Sequence, residues 1–178
     1  MGKQFTDIDA ARQAFIEQQP LFFVGTAAAD GRVNVSPKGL DTLRVLGPNQ
    51  VVWLNLTGSG NETAAHLREL NRITLMFCAF EGKPNIMRLY GTAAVLHPRD
   101  AGWDELIGLF PDLPGARQLV VVDVDLVTTA CGFAVPLLDY QGERQELNRS
   151  MEKKGPDGVR DYWQQRNQLS LDGRPTGI

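Results

Sequence analysis

With 178 residues, 43% of them hydrophobic and 22% charged, the chain is long enough to bury one substantial core and short for two enzyme domains. A formal charge of −3 and an isoelectric point near 5.4 give no general electrostatic reason for binding nucleic acid or an anionic membrane surface, and a small, locally charged ligand fits better. No apolar run approaches the roughly 20 residues of a membrane span and Met1-Gly2-Lys3-Gln4 opens no apolar leader, so the expectation is a soluble, cytoplasmic protein.

Asp7 is a candidate cap for a helix carrying Ile8, Ala11 and Phe15, with Pro20 at its end. Leu21 to Ala29 reads as a buried strand, Asp30-Gly31 as a two-residue hairpin turn, and Arg32 to Pro37 as the return strand, where Val33 and Val35 alternate with polar residues. Val51 to Leu56 is a third strand. Thr57-Gly58-Ser59-Gly60-Asn61 breaks it before a short helix bearing Ala64, Leu67 and Leu70. Ile73 to Phe80 and Ile86 to Leu96 form a second hairpin around Glu81-Gly82-Lys83-Pro84. Ala101 to Phe110 has helical spacing, and Gln118 to Val127 is the last strand. Six antiparallel strands with few, peripheral helices predict a mainly β (α+β) barrel over residues 1–138. Residues 139–178, charged to Arg166 and then irregular, should form a helix and tail packed on the same domain or on a partner.

The stretch from Asn55 through Thr57, Gly58, Ser59, Asn61, Glu62 and Thr63 is the richest in chemistry. Glycines admit close backbone approach, a helix N-terminus favours an anion such as phosphate, and the hydroxyls and amides add donors. Ser59 and Glu62 also have capping-box spacing, which would satisfy the same helix end without a ligand. Val35-Ser36-Pro37-Lys38-Gly39 delivers a cation at a strand end, where Lys38 either meets a phosphate or flavin edge or is simply solvated. Arg88, inside an apolar strand, should point outward or meet an anion. His66 reads as an exposed helix residue, and Cys78 and Cys131 as buried free thiols. The two histidines lack zinc spacing, so no metal is expected, and nucleophile-elbow, Walker and dinucleotide motifs are absent.

In this order, Val35-Ser36-Pro37-Lys38-Gly39, Leu56-Thr57-Gly58-Ser59-Gly60-Asn61-Glu62-Thr63 and Arg88-Leu89-Tyr90-Gly91 resemble the pyridoxamine 5'-phosphate oxidase-like FMN-binding split barrels, over Leu21 to Pro136. They are closer still to a branch other than the oxidase proper. The resemblance implies a six-stranded split barrel, bound FMN, oxidoreductase activity on a small substrate, and a homodimer with flavin at its interface. It places Lys38, Thr57, Asn61 and Thr63 at the flavin and its phosphate, and brings Cys131-Gly132-Phe133 and the tail toward the partner's flavin. Glu62-Thr63 stands where the oxidase has an arginine-lysine pair, Val33 replaces another basic ligand, and the oxidase's C-terminal Arg-x-His motif is missing. A carboxylate beside phosphate repels it unless Glu62 turns back to cap its own helix. Pyridoxamine phosphate oxidation is therefore not expected. The alternative on the same barrel is a flavin- or haem-binding carrier or sensor without turnover, and a third reading is a ligand-free interaction module.

Overall fold

The structure is a computed structural model that describes residues 2–178; Met1, at the head of the N-terminal segment read above, lies outside them. The elements run β1 (Lys3–Phe5), α1 (Ala10–Glu17), β2 (Phe22–Thr26), β3 (Asn34–Lys38), β4 (Leu43–Gly47), β5 (Gln50–Leu56), α2 (Glu62–Glu69), β6 (Arg72–Cys78), β7 (Ile86–Leu96), α3 (Trp103–Ile107), β8 (Ala116–Ala130) and α4 (Glu146–Arg166). The mainly β, α+β expectation holds, with an eight-stranded sheet in place of six strands. Two strands are additional. β4 is the other half of a tight hairpin with β5, Gly47 facing Gln50 across Pro48-Asn49, and β1 pairs with the overhanging end of β8.

All strand pairs are antiparallel, in the order β3-β2-β6-β7-β8-β5-β4. The two edges, β3 and β4, are consecutive in the chain and joined only by residues 39–42, a length that spans at most about 18 Å from Lys38 to Leu43. So short a link between opposite edges rolls the sheet into a barrel. Leu40 and Asp41 turn this corner with φ of 63° and 54°, conformations that cost about 1–3 kcal/mol each in non-glycine residues, and the Asp41 carboxylate is held at 2.6 Å by Arg44.

Alternation along the strands fills the interior with Phe22, Val24, Trp53, Leu75, Phe77 and Leu89, all but inaccessible to solvent. Val52, Leu54 and Leu119 face the other way and pack with Trp103 and Phe110 around α3. The bulge between Tyr90 and Gly91 requires glycine, because a Cβ at Gly91 would lie 1.9 Å from the Asp123 carbonyl oxygen.

Three local expectations are corrected. Asp9, not Asp7, caps α1 by accepting from Arg12 N at 2.9 Å, since Ile8 must first enter the core; Asp7 receives the Arg12 guanidinium instead. Asp30-Gly31 is not a two-residue hairpin turn, because pairing ends at Thr26 and Asn34. The intervening loop is held from outside, with Ala29 N bonded to Glu69, Asp30 to Arg174 and Arg32 to Asp172. Cys78 is buried as expected, whereas Cys131 is exposed beyond the end of β8. No described helix is long and apolar enough to cross a membrane.

α4 bends at Gly155, whose φ is 67°, just before Pro156, and buries Met151 and Val159. The tail beyond it forms a small loop closed by a bridge between Leu169 and Pro175 and lies along α2.

Candidate functional site

β3 carries its pattern inside out. Val33 and Val35, at the strand's start, are 72% and 66% exposed, whereas Asn34, Ser36 and Lys38 turn inward opposite Thr26, Val24 and Phe22. The predicted alternation is present with the opposite sense, so polar side chains line the barrel mouth. There Ser36 Oγ donates to Asn34 Oδ1 at 2.9 Å, and Asn34 Nδ2 donates to Thr63 Oγ1 at 3.2 Å and to Thr26 Oγ1 at 3.3 Å.

Lys38 Nζ crosses the mouth and donates to Asn55 Oδ1 at 3.2 Å. Asn55 is buried at the end of β5 and donates from Nδ2 to Gln118 Oε1 at 3.2 Å and to Asn61 Oδ1 at 3.4 Å. The lysine stem keeps some exposure while its ammonium end is withdrawn from water. Burial, and then repulsion from Arg117, lower its pKa from 10.5 to about 8.

Arg117, at the start of β8, is the second cation and only 2% exposed. Its Nη1 donates to Gly60 O at 3.2 Å and to Asn167 Oδ1 at 2.7 Å, and Asn167 Nδ2 donates onward to Gly58 O at 3.1 Å. Burial lowers the guanidinium to about 10. Neither Lys38 nor Arg117 has a carboxylate partner among the described residues. Three buried nitrogens, Asn61 Nδ2, Gln118 Nε2 and Arg117 Nε, find no acceptor either. Among the described residues, the other unpartnered buried side-chain polar atoms are Trp53 Nε1 in the core and Asn148 Oδ1 on α4. Around the glycine-rich turn the imbalance is therefore all of one kind: donors and positive charge without acceptors. Such a set fits an anionic group with several oxygens, such as the phosphate of FMN.

The other expected site residues divide. Lys38, Asn55, Asn61 and Thr63 converge on the mouth, with Ser36 behind them and Gly39 beginning the corner. Thr57 does not offer its hydroxyl: Oγ1 donates to Gly115 O at 2.7 Å and accepts from Trp163 Nε1 at 2.8 Å. Gly58 holds the turn through its carbonyl, and Ser59 is exposed. Ser59 and Glu62 form no capping box. Asn61 is the cap residue, without a side-chain cap bond, and the Glu62 carboxylate accepts from Leu171 N at 3.0 Å. Val35 and Pro37 face outward. Arg88 pairs with Met76 and Thr128 on the barrel's outer face, away from this cluster. His66 is buried, not exposed, with Nδ1 3.1 Å from Thr26 Oγ1.

Arg117, Gln118 and Asn167 were missed in the sequence. Arg117 carried the signal already weighed for Arg88, a guanidinium heading an apolar strand; Asn167 carried none. A groove of about 560 Å³ lies under α4 against Arg117 and Trp163, and a second, of about 1890 Å³, runs from Gly39, the residue after Lys38, over Phe22, Phe77 and Phe80 and is lined by none of the cluster's own side chains.

Residues 8–131 match the sequence profile of the family described as pyridoxamine 5'-phosphate oxidase. A pyridoxamine 5'-phosphate oxidase family protein of Aspergillus flavus, ustO, is 42% identical over 177 aligned positions, which span 89% of this chain and 71% of that protein. Among solved structures, a Lactobacillus delbrueckii protein assigned to the pyridoxamine 5'-phosphate oxidases is similar with a TM-score of 0.55 at 20% identity, over 69% of this chain and 94% of its own. An FAD-binding protein of Mycobacterium smegmatis gives a TM-score of 0.51 at 15% identity, over 70% of this chain and 98% of its own. At these identities the two structures establish a shared fold.

Proposed function

The chain belongs to the pyridoxamine 5'-phosphate oxidase family, and from that premise we propose that it is an FMN-binding oxidoreductase acting on a small substrate other than pyridoxamine phosphate. The observation that carries this reading is the pair of buried cations, Lys38 and Arg117, beside a glycine-rich turn and three unpartnered donors, with no carboxylate against them. FMN, when bound, supplies the electron-transfer chemistry. Lys38, Asn61, Thr63 and Arg117 supply charge and donors for its phosphate or its electron-rich edge, and Asn55 and Gln118 hold those groups in place. The groove that runs from Gly39, the residue after Lys38, offers room for a substrate.

Two further features support the reading. Arg174 is the tail's one basic residue after Asn167, and it is held by Asp30 and Glu69, so it is spent before a second phosphate arrives; of the C-terminal arginines, Arg144 is the one that lines the groove at Gly39. Val33 and Leu171 are exposed apolar residues on either side of the Arg32–Asp172 ion pair, a surface suited to burial in a homodimer. An outward-facing Arg88 reaches a flavin only across such an interface. His66 is spent on Thr26, which disfavours it as a haem ligand.

Purified protein should be yellow and release FMN, not FAD or riboflavin, on denaturation. A nicotinamide cofactor should then reduce the bound flavin, and a substrate screen should reoxidise it. A colourless protein that takes up no added FMN rules out the cofactor assignment. A flavin that resists every reductant and oxidant favours a carrier or sensor.

A further inference from the structure

The turn from Thr57 to Thr63 contains no basic side chain, so its positive charge must be brought from elsewhere. Arg117 brings it, and what fixes Arg117 is a neutral amide. Asn167 is fully buried with every polar atom used: Oδ1 accepts from Arg117 at 2.7 Å, Nδ2 donates to Gly58 O at 3.1 Å, its backbone N–H donates to Trp163 O, and its carbonyl accepts from Thr176 Oγ1. One side chain thus ties the guanidinium and the glycine-rich turn to the end of α4. Trp163, one helical turn earlier, ties down the turn's first residue through Thr57 Oγ1, and Leu171 N occupies Glu62. All three come from the arm beyond residue 131, outside the stretch that the family profile matches.

The identity of the tie is informative. A carboxylate is the usual partner for a buried guanidinium, because it repays the cost of burying the charge. An aspartate of the same shape at position 167 would neutralise Arg117 and repel the Gly58 carbonyl. The amide instead orients the guanidinium, leaves its charge uncompensated and leaves Nε without an acceptor.

We propose that Asn167 is a positioning residue, a neutral clamp that presents Arg117 and the glycine-rich turn to the phosphate of the flavin and so makes the C-terminal arm the determinant of FMN over riboflavin. This rests on the FMN reading above and adds the residue that sets phosphate selectivity.

The test compares wild type with Asn167→Asp and Asn167→Ala, titrating FMN and riboflavin into each by flavin fluorescence at neutral pH. Wild type should prefer FMN by tenfold or more. In Asn167→Asp that preference should collapse toward parity through a ten- to hundredfold loss of FMN affinity, with riboflavin changed less than about threefold. Its thermal midpoint should equal or exceed that of wild type, since the new carboxylate pairs with Arg117. Asn167→Ala should lose selectivity and stability together. An Asn167→Asp variant that keeps its FMN preference, or loses both flavins equally, overturns the proposal. A second readout does not depend on flavin: the Arg117 Nε–H resonance of the apo-protein should shift on titration with inorganic phosphate in wild type and not in Asn167→Asp. Absence of that shift in wild type also overturns it. A phosphate response in a protein that binds no flavin leaves the clamp standing and removes the FMN reading instead.

Discussion

Replacing Lys38 with methionine separates the cost of the site from its use. In the folded apo-protein this lysine titrates at about 8 against 10.5 ordinarily. At about 1.36 kcal/mol per pH unit, holding it charged in the barrel mouth costs roughly 3 kcal/mol. The sign follows from proton binding. Below pH 8 both folded and unfolded chains hold the proton and the penalty is fully present; between about 8 and 10.5 only the unfolded chain holds it, so stability rises with pH across that window. Methionine has similar length and removes the penalty, but it leaves Asn55 Oδ1 without its donor, at about 1–2 kcal/mol. The net expectation at pH 7 is an apo-protein more stable by about 1–2 kcal/mol, or on the order of 4 °C in Tm, that binds FMN about ten- to hundredfold more weakly. Urea unfolding of both apo-proteins at pH 7 and pH 10 measures this, and the advantage of Lys38→Met should shrink at the higher pH as wild type sheds its penalty. FMN affinity of wild type should likewise fall as pH rises through about 8. A variant that is less stable at pH 7, with unchanged FMN affinity, would show that Lys38 is an ordinary solvated lysine.

Thr57→Val should cost about 1–3 kcal/mol in chemical denaturation, by stranding the Trp163 Nε1 donor, and should disturb FMN binding only through the loosened turn; a selective loss of FMN affinity without loss of stability would place the hydroxyl at the ligand instead. Glu62→Ala removes the acceptor of Leu171 N, so limited proteolysis should cut the tail after Asn167 faster, while FMN affinity holds or rises; a fall in affinity would give the carboxylate a positive role at the anion site. Gly91→Ala should abolish soluble expression or lower stability by more than about 4 kcal/mol, because its Cβ would enter the Asp123 carbonyl; near-wild-type thermal unfolding would contradict the bulge geometry.

The barrel was legible in the sequence because its central strands are long and apolar, as in Ile86 to Leu96, and because the Glu81 to Pro84 turn stands between two of them. β4 was not, since Leu43-Arg44-Val45-Leu46-Gly47 lacks clean alternation and is a strand by virtue of its partner; Gly47-Pro48-Asn49 was its available signal. β1 depends on the overhang of β8. In the site, Lys38, Asn61 and Thr63 stood out because they cluster at a strand end and a glycine-rich turn. Asn167 meets Arg117 across 50 residues of sequence, so no local pattern announces it. His66 was misplaced because a polar residue on a short helix usually faces water, whereas here the tail and β2 cover α2 and Thr26 satisfies the imidazole.

The central claim, that the donor-rich mouth around Lys38 and Arg117 is a phosphate-holding flavin site, is tested most directly by titrating FMN into the unmodified apo-protein at pH 7, with riboflavin in parallel. Saturation at one FMN per chain with micromolar or tighter Kd, on the order of −8 kcal/mol or better, and at least about tenfold weaker binding of riboflavin, is the predicted result. Equal affinity for the two flavins, or no saturable binding of FMN, would contradict it.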